Sequence, residues 1–346
     1  MSQTTPAQRT ASPETPPCAG AAVPADRIAA PATYGGRTAR EWLAPQRLVP
    51  YLAFLLLFGF FSLTRADLFL NQSNLLVILQ QSVVLAIVAF GMTFVIVAGS
   101  IDLSVGSVVG LTGVVTAMVS LHHGWLGILA AVGVGAVAGL VNGIAFAYGK
   151  IPSFIVTLGM LQVARGLTLQ LSEGSAQSLP MSGLVNQIGV MPWILVDFAV
   201  MTVLAALLFR VSLFGRRVRA IGGNERVARL AGVPTTRIKV LVFVLSGVLA
   251  GLGGAILASR LGTGSPTAGT GFELDVIAAV VIGGTPLTGG LGRISGTVLG
   301  AVIISMLSNG LVLLSVGDAA QLIIKGVILA VAVFVSLERG KIGTIK

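Results

Sequence analysis

Long, almost uncharged apolar runs recur along most of this chain, near 48–64, 75–98, 104–121, 126–148, 152–171, 192–209, 240–258, 273–283, 294–314 and 320–337. A helix needs about 20 mostly apolar residues to cross a hydrocarbon core. Only a helix or a closed barrel satisfies its own backbone there. The runs lack the strict alternation of barrel strands, so the expected fold is all-α: a polytopic transmembrane helical bundle of about ten spans. Water is excluded as the solvent for most of the surface. Only 10% of the 346 residues are charged, against about 25% in a soluble domain. The eighth run is too short to cross as a straight helix. It must continue through Gly283, Gly284 and Thr285, or pair with a re-entrant stretch at 261–272.

The ends of the chain are different material. Seven of the 14 prolines lie within residues 1–45, among Ala, Thr and Ser. Such a segment buries too little apolar area to offset its ordering and reads as a disordered cytoplasmic tail. No apolar core near its start suggests a secretory signal. Its last arginines, Arg37, Arg40 and Arg47, approach the first span and suit anionic lipid headgroups. Residues 46–339 form the expected membrane domain, with its longest loop at 210–239, and 340–346 a short C-terminal segment. With the N terminus in the cytoplasm and ten alternating spans, basic residues collect on one side. The tail holds five, then come Lys150, eight between Arg210 and Lys239, Arg293 and three at the C terminus. Of the 22 Lys and Arg, only Arg65, Arg165, Arg260 and Lys325 are left over. That asymmetry places both termini in the cytoplasm.

Several function classes are poorly supplied. The net charge of +10 is spread among apolar spans, so no soluble basic face is offered to nucleic acid. Cys18 is the only cysteine, and His122 and His123 are adjacent in a short loop. No cofactor, metal centre or catalytic residue is expected. An intramembrane serine protease would need a base beside its nucleophile, and no histidine falls inside a run. Gly143 and Gly149-Lys150 miss the phosphate-loop spacing by one residue, and Ile151 stands where Ser or Thr is needed. Any ATP must therefore be hydrolysed on another chain.

The 45 glycines carry a packing pattern. Ala131, Gly135, Gly139 and Gly143 recur every fourth residue on the fourth span, a smooth ridge suited to close helix contact. Gly106 and Gly110, Gly247 and Gly251, and Gly296 and Gly300 repeat that spacing.

Three stretches are candidates for function. In the 210–239 loop, Gly222 and Gly223 are read as a bend. Asn224 caps a short helix, Glu225 lies at its positive end, and Gly232 with Pro234 closes it. Arg229 and Leu230 complete the unit, and Ala228 with Leu230 offers a small apolar patch. This is the form of a docking element for a soluble partner. In AGSIDLSVGS at 98–107, Asp102 sits at a membrane boundary with Ser104, where an ionisable group is a functional candidate; either residue could instead cap the third span. In 266–296, Glu273 and Asp275 open the eighth span. Being i, i+2, they point to different sides of a helix, so capping or structural hydrogen bonding fits them better than acid–base work. With Asn142 and Asn309 inside the fourth and ninth spans, Asp102, Ser104, Glu273 and Asp275 are the candidates for a translocation path or gate.

Five motifs in order carry a resemblance: GSIDLSVGS (99–107), VNG (141–143), IPSFIVTLGM (151–160), AIGGNERVARLAGV (220–233) and PTAGTGFELDVIAAVVIGGTPLTGGLGRISGT (266–297). From about residue 71 to 335, the chain resembles the permeases of bacterial ABC importers for ribose, xylose, arabinose and galactose. Ser100 stands where that family usually has Gly. The resemblance implies a type II-like importer permease that brings a monosaccharide from periplasm to cytoplasm. Its implied partners are a cytoplasmic ATPase subunit, a periplasmic sugar-binding protein and a second permease copy in the membrane lipid. It maps Gly222, Gly223, Asn224, Glu225, Arg229 and Leu230 onto the helix that touches the ATPase. The alternative is an ion-coupled secondary transporter, for which Asp102, Glu273 and Asp275 are expected to lie too near span ends.

Overall fold

The structure, a computed structural model, describes residues 45–180 and 183–336. The tail read at 1–45, Pro45 apart, and the segment 340–346 lie outside the described residues. The chain runs through helices α1 (Pro45–Thr64), α2 (Ala66–Phe69), α3 (Gln72–Val97), α4 (Val105–His123), α5 (Leu126–Ala147) and α6 (Ser153–Ser172). It continues through α7 (Leu184–Gln187), α8 (Trp193–Arg210), α9 (Leu213–Gly223), α10 (Glu225–Leu230) and α11 (Thr235–Leu261). The last three are α12 (Phe272–Ile282), α13 (Ile294–Leu313) and α14 (Asp318–Ser336). Two-residue strands β1 (Gln177–Ser178) and β2 (Thr263–Gly264) pair antiparallel, the one ladder among the described residues. Every apolar run is helical. Seven of the described helices, α3–α6, α8, α11 and α13, are long and apolar enough to cross a membrane. The other three runs correspond to α1, α12 and α14.

Burial follows the distribution of apolar residues around each helix. From Ser82 to Val97, α3 is buried on every side and forms the axis of the bundle, as expected of a helix apolar all round. In contrast, α8 buries only Ile194, Ala205 and Phe209. Its Val200, Val203 and Leu207 are at least half exposed. Such a surface is stable against hydrocarbon and would be a large sticky patch in water.

The tightest contact joins α5 to α11, and glycine makes it possible. A Cβ on Gly135 would strike the Gly247 carbonyl oxygen, and one on Gly247 would strike the Gly135 carbonyl oxygen. A Cβ on Gly139 would lie 2.9 Å from the Phe243 carbonyl carbon, and one on Gly143 only 2.8 Å from Val240 Cα. Gly251 closes the row against Ala131. The glycines of α11 are thus the counterpart of the ridge on α5. Backbone meets backbone along about three turns, which gains dispersion contact that lipid cannot supply.

The eighth run takes the re-entrant alternative. Helix α12 stops at Ile282 instead of continuing through Gly283–Thr285. Before it, Gly262 (φ 68°) ends α11, and the chain folds back along α4 to Gly271 (φ 75°). A Cβ on Gly264 would lie 2.8 Å from Val114 Cα, and one on Gly110 2.5 Å from the Ala268 carbonyl oxygen. Gly269 reaches the Gly106 carbonyl. From Val114 to Gly106 the stretch therefore descends about 12 Å, and the 11 residues of α12 add about 16 Å. Together these cover roughly the 30 Å of a hydrocarbon core. The end of the bundle with β1 and β2 is called the hairpin end below, and the end with α9 and α10 the loop end.

Replacing Gly139 with Leu should separate α5 from α11. The expected result is loss of the monodisperse peak in detergent size-exclusion chromatography. Gly133→Leu, on the open face of α5 where a Cβ meets nothing within 4 Å, should leave that peak intact. Equal yields of both variants would remove the glycine contact as a requirement for folding.

Candidate functional site

The polar residues inside the bundle fall into separate groups. Between α3 and α4, Asp102 Oδ1 accepts from the Ser104 amide at 3.0 Å and from Ser104 Oγ at 2.6 Å. Its Oδ2 accepts from Ser246 Oγ of α11 at 2.9 Å. Asn142 Nδ2 of α5 donates to Ser104 Oγ at 2.9 Å. None of the four is more than 2% exposed. Asn142 is five residues from the end of α5, about 8 Å inside its loop end. A carboxylate so deep needs every acceptor matched, and these donors match it.

This geometry corrects one expectation. Neither Asp102 nor Ser104 caps α4, whose first turn makes no side-chain cap bond. Asp102 instead turns its own loop and ties it to α11. Asp102, Ser104 and Asn142 are joined with Ser246 in one buried set of hydrogen bonds. Asn309 Nδ2 donates to Asn74 Oδ1 at 2.9 Å, joining α13 to α3, while its Oδ1 is buried without a partner. Ser246 was not legible, since one serine in an apolar span carries no signal.

Glu273 and Asp275 sit elsewhere, where α12 begins beside the start of α4. They face different sides, as their spacing requires, but neither caps α12; Gly271 is its cap residue, without a side-chain bond. Lys325 of α14 donates to Asp275 Oδ2 at 2.9 Å. Glu273 Oε2 packs against Gly106 and is sealed without a hydrogen-bond partner. Arg165 of α6 donates through Nη1 to Thr270 Oγ1 at 2.5 Å and lies within electrostatic reach of Glu273. Both carboxylates are at helix ends by sequence yet inside the bundle in space, because α4 and α12 start within it. Arg165 and Lys325 are two of the four cations left over from the basic bias. A lone Arg or Lys inside an apolar run needs a partner, and that signal points to the acids at 273 and 275.

At the loop end, 210–239 folds as two helices. Asn224 Oδ1 accepts from the Val227 amide at 3.1 Å and caps α10. Glu225 pairs with Lys239 at 2.7 Å and Arg229 at 3.1 Å. Burial pushes its carboxyl up, but the hydrogen bond and charge of Lys239, then those of Arg229, outweigh burial and hold it below the usual carboxylate range. The glycines do not form the bend: Gly222 and Gly223 finish α9, and the chain turns at Asn224 (φ −164°, ψ 106°). Gly222 is needed because a Cβ there would strike the Val97 carbonyl oxygen. That oxygen accepts instead from the Gly290 amide at 2.8 Å. Ala228 is buried beneath α10, so the exposed apolar pair is Val227, 59% exposed, and Leu230, 83% exposed. Beside them a groove of about 520 Å³ is lined by Tyr148, Lys150, Arg229, Val233 and Arg237, among others.

The chain matches the family of branched-chain amino acid transport system permease components over residues 74–333. It is 41% identical to the ribose import permease protein RbsC of Bacillus subtilis (strain 168), across 86% of this chain and 94% of that protein. Against RbsC of Escherichia coli (strain K12) it is also 41% identical, across 87% and 96%. The xylose transport system permease protein XylH of Escherichia coli (strain K12) is 35% identical, across 89% and 95%. No solved structure gives a significant match.

Asp102→Ala should leave the Ser104 and Ser246 hydroxyls without their acceptor and cost about 1–3 kcal/mol. The measurement is the thermal midpoint of the purified protein in detergent, which should fall. An unchanged midpoint would mean that the knot does not hold α4, α5 and α11 together.

Proposed function

Because the chain belongs to the permease-component family of bacterial transport systems, a multi-pass membrane permease, we propose that it carries a monosaccharide from periplasm to cytoplasm. Ribose or a similar pentose or hexose is the solute; ribose and xylose stand in the names of its relatives. The energy comes from a separate ATP-binding-cassette subunit, and a periplasmic binding protein delivers the sugar. Ten spans, α1, α3–α6, α8 and α11–α14, put the basic loop end in the cytoplasm of the inner membrane, with both termini there. The permease works as a homodimer within the lipid, and the path runs along the open face of α12.

The observation that carries the ATPase partnership is the exposed pair Val227 and Leu230 on α10. A helix of 6 residues is too short to hold itself. Here it is capped, salt-bridged to Lys239 of α11 and fixed through α9 to the Val97 carbonyl. A rigid apolar knob over a basic groove suits a soluble protein partner, where buried apolar anchors dominate binding. Gly222, Gly223, Asn224, Glu225 and Arg229 position that knob more than they touch the partner, since Glu225 spends its charge within the chain. One observation favours the ion-coupled alternative: Glu273 and Asp275 lie deeper than expected. Ion-driven uptake by the isolated chain in liposomes, without ATPase, would establish that reading.

Leu230→Glu should lower ATPase stimulation by sugar-loaded binding protein, and sugar uptake, at least tenfold in proteoliposomes. One lost apolar anchor at an interface costs more than about 1.4 kcal/mol. The detergent profile should not change. Wild-type stimulation and uptake would move the docking assignment to Lys150, Arg293 or the termini. A reporter fused after Lys346 or within 216–237 should read cytoplasmic, and one within 174–188 periplasmic; a periplasmic C terminus would overturn the ten-span topology.

A further inference from the structure

The groove beside α10 is chemically one-sided. Its walls carry Lys150, Arg229 and Arg237 together with Tyr148, and no Asp or Glu lines it. Glu225 already answers Arg229 at 3.1 Å. Lys150 and Arg237 are exposed and have no acidic partner among the described residues. The groove also takes in the start of α11. There the Thr235 amide donates to the Val233 carbonyl and the Ile238 amide to the Pro234 carbonyl. The amides of Thr236 and Arg237 are left without a carbonyl among the described residues. Two uncompensated positive charges and open N–H donors in a cavity of about 520 Å³ suit a phosphate group.

The surface beneath the groove says what carries that phosphate. On α5, the exposed residues Val137, Val141, Ile144 and Tyr148 follow one another at helical spacing and share one stripe. From Val137 to Tyr148 that stripe is about 16 Å long, the depth of one leaflet of a core of about 30 Å. On α11, exposed Leu241 stands one turn inward from Arg237. Cations therefore sit at the head of an apolar track that is bare in the chain itself. A free phosphate would satisfy the cations and leave the track unused. An acidic segment of a protein partner would do the same.

We propose that the groove seats the headgroup of an anionic phospholipid, with Lys150 and Arg237 on its phosphate oxygens and an acyl chain along Val137, Val141 and Ile144. Tyr148 lies at headgroup level, where an amphipathic ring is at home. Basic pockets between membrane helices hold anionic headgroups by this combination of charge and adjoining apolar surface. The inference is independent of which solute the chain carries and of which partner α10 meets.

Native mass spectrometry tests this on the full chain, released from neutral detergent that carries phosphatidylglycerol and phosphatidylcholine in equal amounts. The protein should retain phosphatidylglycerol about thirtyfold over phosphatidylcholine, the factor that two cations near an anionic headgroup supply. Lys150→Gln combined with Arg237→Gln should bring the two lipids to equal retention, with the size-exclusion profile of the wild type. Arg216→Gln combined with Arg217→Gln removes two exposed cations of α9 outside the groove and should keep the preference. Excess inorganic phosphate should not displace the lipid. Equal retention of both lipids by the wild type would overturn the site and return the groove to a protein partner. A preference that survives in the groove variant, or that falls as far in the α9 variant, would overturn it too. Displacement by inorganic phosphate would replace the lipid with a free anion.

Discussion

The contact between α5 and α11 sets the spacing of the whole bundle. Gly135 and Gly247 oppose each other with no side chain between them, and Gly139, Gly143 and Gly251 extend the row. Lipid tails are as apolar as leucine, so burying more leucine would gain nothing in the membrane. Closeness is what gains energy there. The close approach also brings Asn142 to Ser104 and Ser246 to Asp102, so the polar knot depends on the glycine row. With bulkier residues in the row, three hydrogen-bonding groups would be left unpaired in a low-dielectric interior.

A second glycine seam works at the loop end. The end of α3, the end of α9 and the 289–290 turn meet with no side chain among them. Gly222 and the Gly290 amide share the Val97 carbonyl, and Gly289 lies against Gly99. Backbones in such contact cannot slide independently. The seam thereby joins α9 to the turn that follows α12, whose other end carries Glu273 and Asp275.

Opposite environments shape the two acidic sites. Asp102 is closed on all sides by hydroxyl and amide donors and is fixed. The carboxylates of α12 are offset by cations from other helices, and Glu273 Oε2 is sealed against Gly106 without a partner.

Much of this was legible in the residues. Charge scarcity and run length dictated an all-helical membrane bundle, because lipid leaves few other ways to satisfy a backbone. The four-residue glycine spacing marked the ridge on α5, and Asn224 with Gly232 bounded α10. Partners were not legible. Asp102 could cap or bind by its sequence, and only the fold set Ser246, 144 residues away, beside it. Ala228 seemed as available as Leu230, yet a helix turns successive residues by about 100°, and the position of the bundle decided which side was covered. The path of 262–271 was likewise decided in three dimensions. Local sequence records what each residue can do, whereas the pairings of Arg165, Lys325, Glu273 and Asp275 arise from helices distant in the chain and close in space.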